Sequence, residues 1–72
     1  MSPAATAYLA ALLDLVRVRV TPDYNDSVED AHLDHLDVLW WPLTEDDRTE
    51  IEAQLQAGYI VKALAEAQKG GA

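Results

Sequence analysis

The chain has 72 residues, of which 13 are acidic and 5 are basic, so its formal net charge is -8. This charge argues against direct nucleic-acid binding, because phosphate recognition depends on clustered lysine and arginine. The sequence contains no cysteine, which excludes disulfides, thiol catalysis and cysteine zinc sites. The length predicts a single domain over residues 1–67, followed by a flexible tail over residues 68–72. A core of this size commonly needs support from self-association or a partner.

The longest apolar stretch covers residues 4–13 and ends at Asp14. It is too short to span a bilayer, and no basic residue precedes it as in a secretion signal. We therefore expect a cytoplasmic protein without membrane contact.

A first helix is predicted over residues 3–19. Ser2 is a suitable N-terminal cap, and Pro3 suits the first helical position because its missing N–H group costs nothing there. Apolar residues then recur every three or four positions. Residues 16–20 also alternate valine with arginine, so a short strand competes with the helix there. We favour the helix, because the chain offers no second convincing strand.

A second helix is predicted over residues 27–41, with Asp26 or Ser27 as its cap. Pro42 disfavours helical geometry at Trp41 and ends this helix. The apolar side of the helix comprises Val28, His32, Leu33, Leu36, Leu39 and Trp40.

A third helix is predicted over residues 45–67, with Thr44 as its cap and three acids in its first turn. Gly58 either breaks this helix or permits close approach by another backbone, since glycine disfavours a helix interior. Tyr59 and its neighbours give the helix more apolar directions than one buried stripe needs. The third helix, with Tyr59, is therefore predicted to contact another subunit or partner.

Together these elements predict an all-α fold, a small antiparallel three-helix bundle that is completed by oligomerisation.

The acidity is concentrated in one segment. Residues 23–52 carry a net charge of -10, and the segments on either side each carry +1. Three aspartates of the second helix, Asp30, Asp34 and Asp37, share one helical face. This face either confers solubility or attracts a basic protein. Arg17 and Arg19 are expected to pair with the acidic segment.

The adjacent tryptophans differ in their predicted roles. Trp40 continues the apolar stripe of the second helix and is expected in the core. Trp41 points about 100° away, so it is the better candidate for an interface anchor, a role in which tryptophan is enriched.

These features predict a non-enzymatic acidic module without a cofactor. It would bind a basic or mixed basic and apolar protein surface, either as an accessory subunit of a larger assembly or as an inhibitor or regulator.

The alternative is a metal-binding bundle formed by dimerisation. Glu29 and His32 have the carboxylate and imidazole spacing that di-iron bundles use, and His35 lies one turn further. Glu50 or Glu52 of the third helix would supply another ligand, either from the same chain or from a second subunit. Because acids are dense here, such spacing also arises by chance.

Overall fold

The computed structural model describes residues 1–70, with side chains for residues 1–66. This part of the chain forms four helices and no strand: α1 (Pro3–Val18), α2 (Asp26–Trp40), α3 (Glu45–Gln56) and α4 (Tyr59–Gly70). The predicted all-α class is confirmed. The predicted number of helices is wrong by one, because the third helix is divided.

The start of α1 follows the sequence prediction. The Ser2 Oγ accepts a hydrogen bond from the Ala5 N–H at 3.1 Å, and Pro3 occupies the first helical position. The helix continues to Val18, so the valine and arginine alternation forms helix and then turn rather than a strand. Local β propensity does not prevail here because no second strand is available to pair with this segment.

Helix α2 begins one residue earlier than predicted. Asn25, rather than Asp26 or Ser27, is the cap, and its side chain accepts a hydrogen bond from the Val28 N–H at 3.0 Å. The helix ends at Trp40, with Trp41 as its C-terminal cap.

The prediction of one continuous helix over residues 45–67 is wrong. Helix α3 ends at Gln56, and α4 begins at Tyr59 and reaches Gly70. Between them Gly58 has a φ of +88°, in the left-handed region that glycine adopts without the strain of a Cβ. The break therefore occurs at Gly58, where the sequence analysis considered that the helix could be interrupted. The predicted tail overlaps α4, and residues 71–72 lie outside the described residues.

Replacing Gly58 with alanine should destabilise the fold by about 1 kcal/mol, because the added Cβ disfavours the left-handed conformation. No neighbouring atom lies within 4 Å of that Cβ position, so the cost comes from the backbone alone. Gly58→Asn should cost less, since asparagine tolerates this conformation better. Urea unfolding of the three proteins tests this prediction. An alanine variant as stable as the parent would indicate that α3 and α4 can merge into one helix.

The caps of α1 and α3 are joined to each other. Thr44 caps α3 as predicted, and the Asp47 side chain accepts a hydrogen bond from the Thr44 N–H in return, which completes a capping box. The Ser2 hydroxyl donates to the other oxygen of Asp47 at 2.6 Å. The hydrogen bond from Ser2, followed by that from the Thr44 backbone, lowers the pKa of Asp47. One carboxylate thus fixes the first turns of two helices against each other.

Helix α1 supplies residues to both hydrophobic clusters of the core. The first cluster joins α1 to α3 and the preceding turn, and consists of Ala5, Leu9, Leu43 and Ile51. The second joins α1 to α2, and consists of Ala11, Leu15 and Leu36. Helix α4 packs mainly on α3. Because α1 is the element that α2 and α3 share, the opposite side of α2 has no helix packed on it among the described residues.

The molecule measures 36 × 29 × 18 Å. Leu33, predicted on the apolar side of α2, is 43% exposed. The contact between α1 and α2 buries Leu36 instead, so the predicted apolar side is wider than the part of α2 that α1 covers.

Candidate protein-binding surface

The exposed side of α2 carries charged and apolar residues in a row. We call Asp30, Asp34, Asp37, Val38 and Trp41 the α2 face; all five are exposed. At 100° per residue, the three aspartates and Trp41 lie within an arc of about 60°. The predicted aspartate row therefore continues into the predicted anchor.

The C-terminal end of the α2 face is apolar. The Trp41 side chain is 77% exposed, and Val38, one turn earlier, is 69% exposed. Sequence reasoning missed Val38, although its spacing of three residues before Trp41 could have indicated it.

Trp40 is half-buried against the first core cluster. Its ring lies 5.3 Å from the ring of Tyr8 and 4.8 Å below the guanidinium carbon of Arg48. Arg48 also donates a hydrogen bond to the Trp40 carbonyl at 3.2 Å. These contacts hold the end of α2 against α1 and α3, and Trp41 is directed outwards as a result. The structural role of Arg48, the one base among residues 23–52, was not predicted.

The negative charges of the α2 face have no basic partner within residues 1–66. The ion pair in this part of the chain joins Arg19 to Glu29, on another side of α2. Burial of the Tyr8 hydroxyl, with a smaller contribution from the charge of Asp37, raises the pKa of Tyr8. Because no lysine or arginine within residues 1–66 pairs with the aspartates of the α2 face, these aspartates are available to an external cation.

Glu29 is held by two side chains from the end of α1 and the following loop. The Arg19 Nε and a terminal guanidinium nitrogen donate to its two oxygens at 3.0 and 2.7 Å, and the Tyr24 hydroxyl donates at 2.8 Å. The hydrogen bonds from Arg19 and then Tyr24 lower the pKa of Glu29 from 4.5 to about 2. The predicted pairing with the acidic segment is confirmed for Arg19, whereas Arg17 makes no ion pair among the described side chains. The contribution of Tyr24 was missed.

This network predicts a pH-dependent effect of Glu29→Gln. The folded-state pKa is lowered, so the ionised carboxylate stabilises the fold above pH 4.5, and this contribution is lost as the pH falls towards 2. We expect the variant to be less stable than the parent at pH 7 and the difference to shrink below pH 4.5. Urea midpoints between pH 7 and 3 measure this, with the exposed Glu52→Gln as the charge control. A difference that stays constant over this range would contradict the prediction.

The candidate metal ligands of α2 are neighbours, but the fold does not group them with the carboxylates of α3. Both oxygens of Glu29 accept the hydrogen bonds described above. His32 is half-buried and His35 is exposed, and with Ala31 they line an open depression of about 200 Å³. Glu52 is exposed on α3. Within residues 1–66, no three side chains among histidine, aspartate and glutamate are grouped so that they could hold a metal ion. Residues 1–66 therefore do not form the site within one chain, and the site formed by dimerisation stays a prediction.

Tyr59, predicted as a contact residue, lies at the start of α4 and is half-buried. It packs against the core cluster that contains Leu9 and Ile51. Tyr59 thus belongs to α4 and is not part of the α2 face, and its predicted role as a contact residue stays a prediction.

Comparison with protein-family models, with curated proteins and with solved structures gave no match. Within the described part of the chain, each helix is too short or too polar to cross a lipid bilayer.

Proposed function

We propose that this protein is a non-enzymatic binding module whose α2 face docks on a basic or mixed basic and apolar surface of another protein. It would act as an accessory subunit of a larger assembly or as an inhibitor or regulator. The observation that carries the proposal is the position of Trp41, which is 77% exposed at the end of an exposed aspartate row.

Covering Trp41 would supply much of the binding energy. A buried tryptophan removes about 150–250 Å² from water. At about 25 cal/mol per Å², covering the exposed part of Trp41 would give about 3–5 kcal/mol before the costs of association. Val38 would add to this apolar contact.

The aspartates would orient the partner and increase the rate of association. A row of like charges attracts a basic partner over a distance and repels acidic proteins. The α2 face is open to water, whereas catalytic groups usually work in a cleft that excludes water. Its chemistry therefore suits binding better than catalysis.

The test is capture of a partner from lysate of the source cell, at low and moderate salt. The triple variant Asp30→Asn, Asp34→Asn and Asp37→Asn should reduce capture about tenfold at low salt, since these charges face the basic partner. Moderate salt should reduce the difference in capture between the parent and the triple variant, because salt screens exposed charges.

The matched control removes the same amount of charge elsewhere, through Asp14→Asn, Asp23→Asn and Glu66→Gln. These side chains are exposed on α1, the following loop and α4. Capture that is equal for the two triple variants would refute the proposed role of the aspartates and leave them only as a solubilising surface.

A further inference from the structure

We infer that the α2 face binds a helix of its partner, one with a basic stripe that is followed by an apolar residue. This inference rests on the proposed function and adds the form of the partner element and the spacing of its side chains. The apolar pair Val38 and Trp41 forms the docking point, and the charges beside it specify the chemistry of the occupant.

The backbone of α2 favours a helical occupant. The outer face of a helix interior offers no free N–H or C=O groups, since these groups are bonded along the helix. An extended partner segment would lose water from its own backbone groups without gaining partners on α2, which is costly. A partner helix satisfies its backbone internally and presents only side chains.

The spacing of the α2 face fits such a helix. Asp30, Asp34, Asp37 and Trp41 are separated by four, three and four residues, or about 6, 4.5 and 6 Å along the axis. Lysine or arginine residues at intervals of three and four on a partner helix recur at the same distances. The aspartate side chains are short, so long basic side chains can reach them while the partner approaches Trp41 closely.

The occupant is a different protein rather than a second copy of this chain. Two copies meeting through their α2 faces would place three carboxylates on each side, and residues 1–66 place no base among them. Juxtaposed like charges oppose such an interface. Charge complementarity therefore selects a basic helix.

Two synthetic peptides of identical composition test the inference with the full-length protein. The striped peptide carries three lysines at intervals of three and four residues, with a leucine one turn beyond each end of the row. In the permuted peptide, the same lysines and leucines are spread around the helix. Fluorescence anisotropy of the labelled peptides measures affinity, and circular dichroism measures helix formation on binding.

We expect the striped peptide to bind at least tenfold more tightly than the permuted one and to gain helicity in the complex. The triple asparagine variant of the α2 face and Trp41→Ala should each weaken its binding at least tenfold. The charge-matched variant of Asp14, Asp23 and Glu66 should bind like the parent.

Equal affinity for both peptides would show that charge alone is recognised and would overturn the helix inference. Binding without a gain of helicity, or no binding of either peptide, would overturn it as well. The proposed function is decided separately by capture of the cellular partner, so its failure can be told apart from these outcomes.

Discussion

Replacing Leu9 with alanine should remove a large part of the protein's free energy of unfolding. Leu9 is 1% exposed and packs with Ala5, Leu43 and Ile51. Truncating a leucine in such a site costs about 2–5 kcal/mol. A domain of this length is stable by only about 4–11 kcal/mol, so the loss is a large part of the total. The effect is large because the first cluster is the place where α1, α3 and the turn before α3 meet.

Urea unfolding followed by far-ultraviolet circular dichroism measures the loss. Leu33→Ala makes the same chemical change on a helix at a side chain that is 43% exposed, and it should cost less than half as much. Similar losses at the two positions would contradict the assignment of Leu9 to the core and of Leu33 to the uncovered side of α2.

Replacing Trp41 with alanine should weaken partner binding at least about 30-fold and leave folding nearly unchanged. A tryptophan that anchors an interface typically contributes at least about 2 kcal/mol to binding, which corresponds to that factor. Because its side chain is 77% exposed, truncation should change the free energy of unfolding by no more than about 0.5 kcal/mol. Partner capture and urea unfolding on the same protein sample measure both quantities.

The matched variant is Trp40→Ala, which removes the same side chain one position earlier. Trp40 contacts Tyr8 and Arg48, so its loss should lower stability by about 2 kcal/mol, which is less than for a fully buried tryptophan because Trp40 is half-buried. If Trp41→Ala leaves capture of the partner unchanged, Trp41 is not the anchor and the proposed function fails at its central observation. If Trp41→Ala unfolds the protein, the described position of Trp41 is wrong.

The acidic segment has two structural uses. Glu29 accepts hydrogen bonds that join α2 to Arg19, at the end of α1, and to Tyr24 of the loop. Asp47 accepts one that joins the start of α1 to α3. The three aspartates of the α2 face turn outwards instead. The net charge does not show which carboxylates have a structural role and which are exposed. That depends on the position of each carboxylate relative to α1.

Several features could be predicted from local sequence because short-range chemistry decides them. Ser2 with Pro3, and Thr44 with the acids that follow it, start helices through hydrogen bonds within one turn. Pro42 ends α2 because it restricts the residue before it. The aspartate row and the divergence of the two tryptophans follow from the 3.6-residue repeat alone.

Other features depended on contacts between distant residues. The sequence indicated a possible interruption at Gly58. Only the structure shows that α3 and α4 are separate helices, because Gly58 adopts a φ of +88°. Exposure of Leu33 depended on how much of α2 is covered by α1, which periodicity does not report. Arg48 donates a hydrogen bond to the carbonyl of Trp40, which lies eight residues earlier and across a turn.

The sequence by itself thus determined the helical class, most helix ends and the composition of the α2 face, since these depend on neighbours within about one turn. The tertiary structure decided which side of each helix is covered. It placed α1 between α2 and α3, fixed Trp40 with Tyr8 and Arg48, and left Trp41 exposed. The physical reason is that burial depends on which other elements pack against a face, and a helical repeat specifies the face without specifying its neighbour.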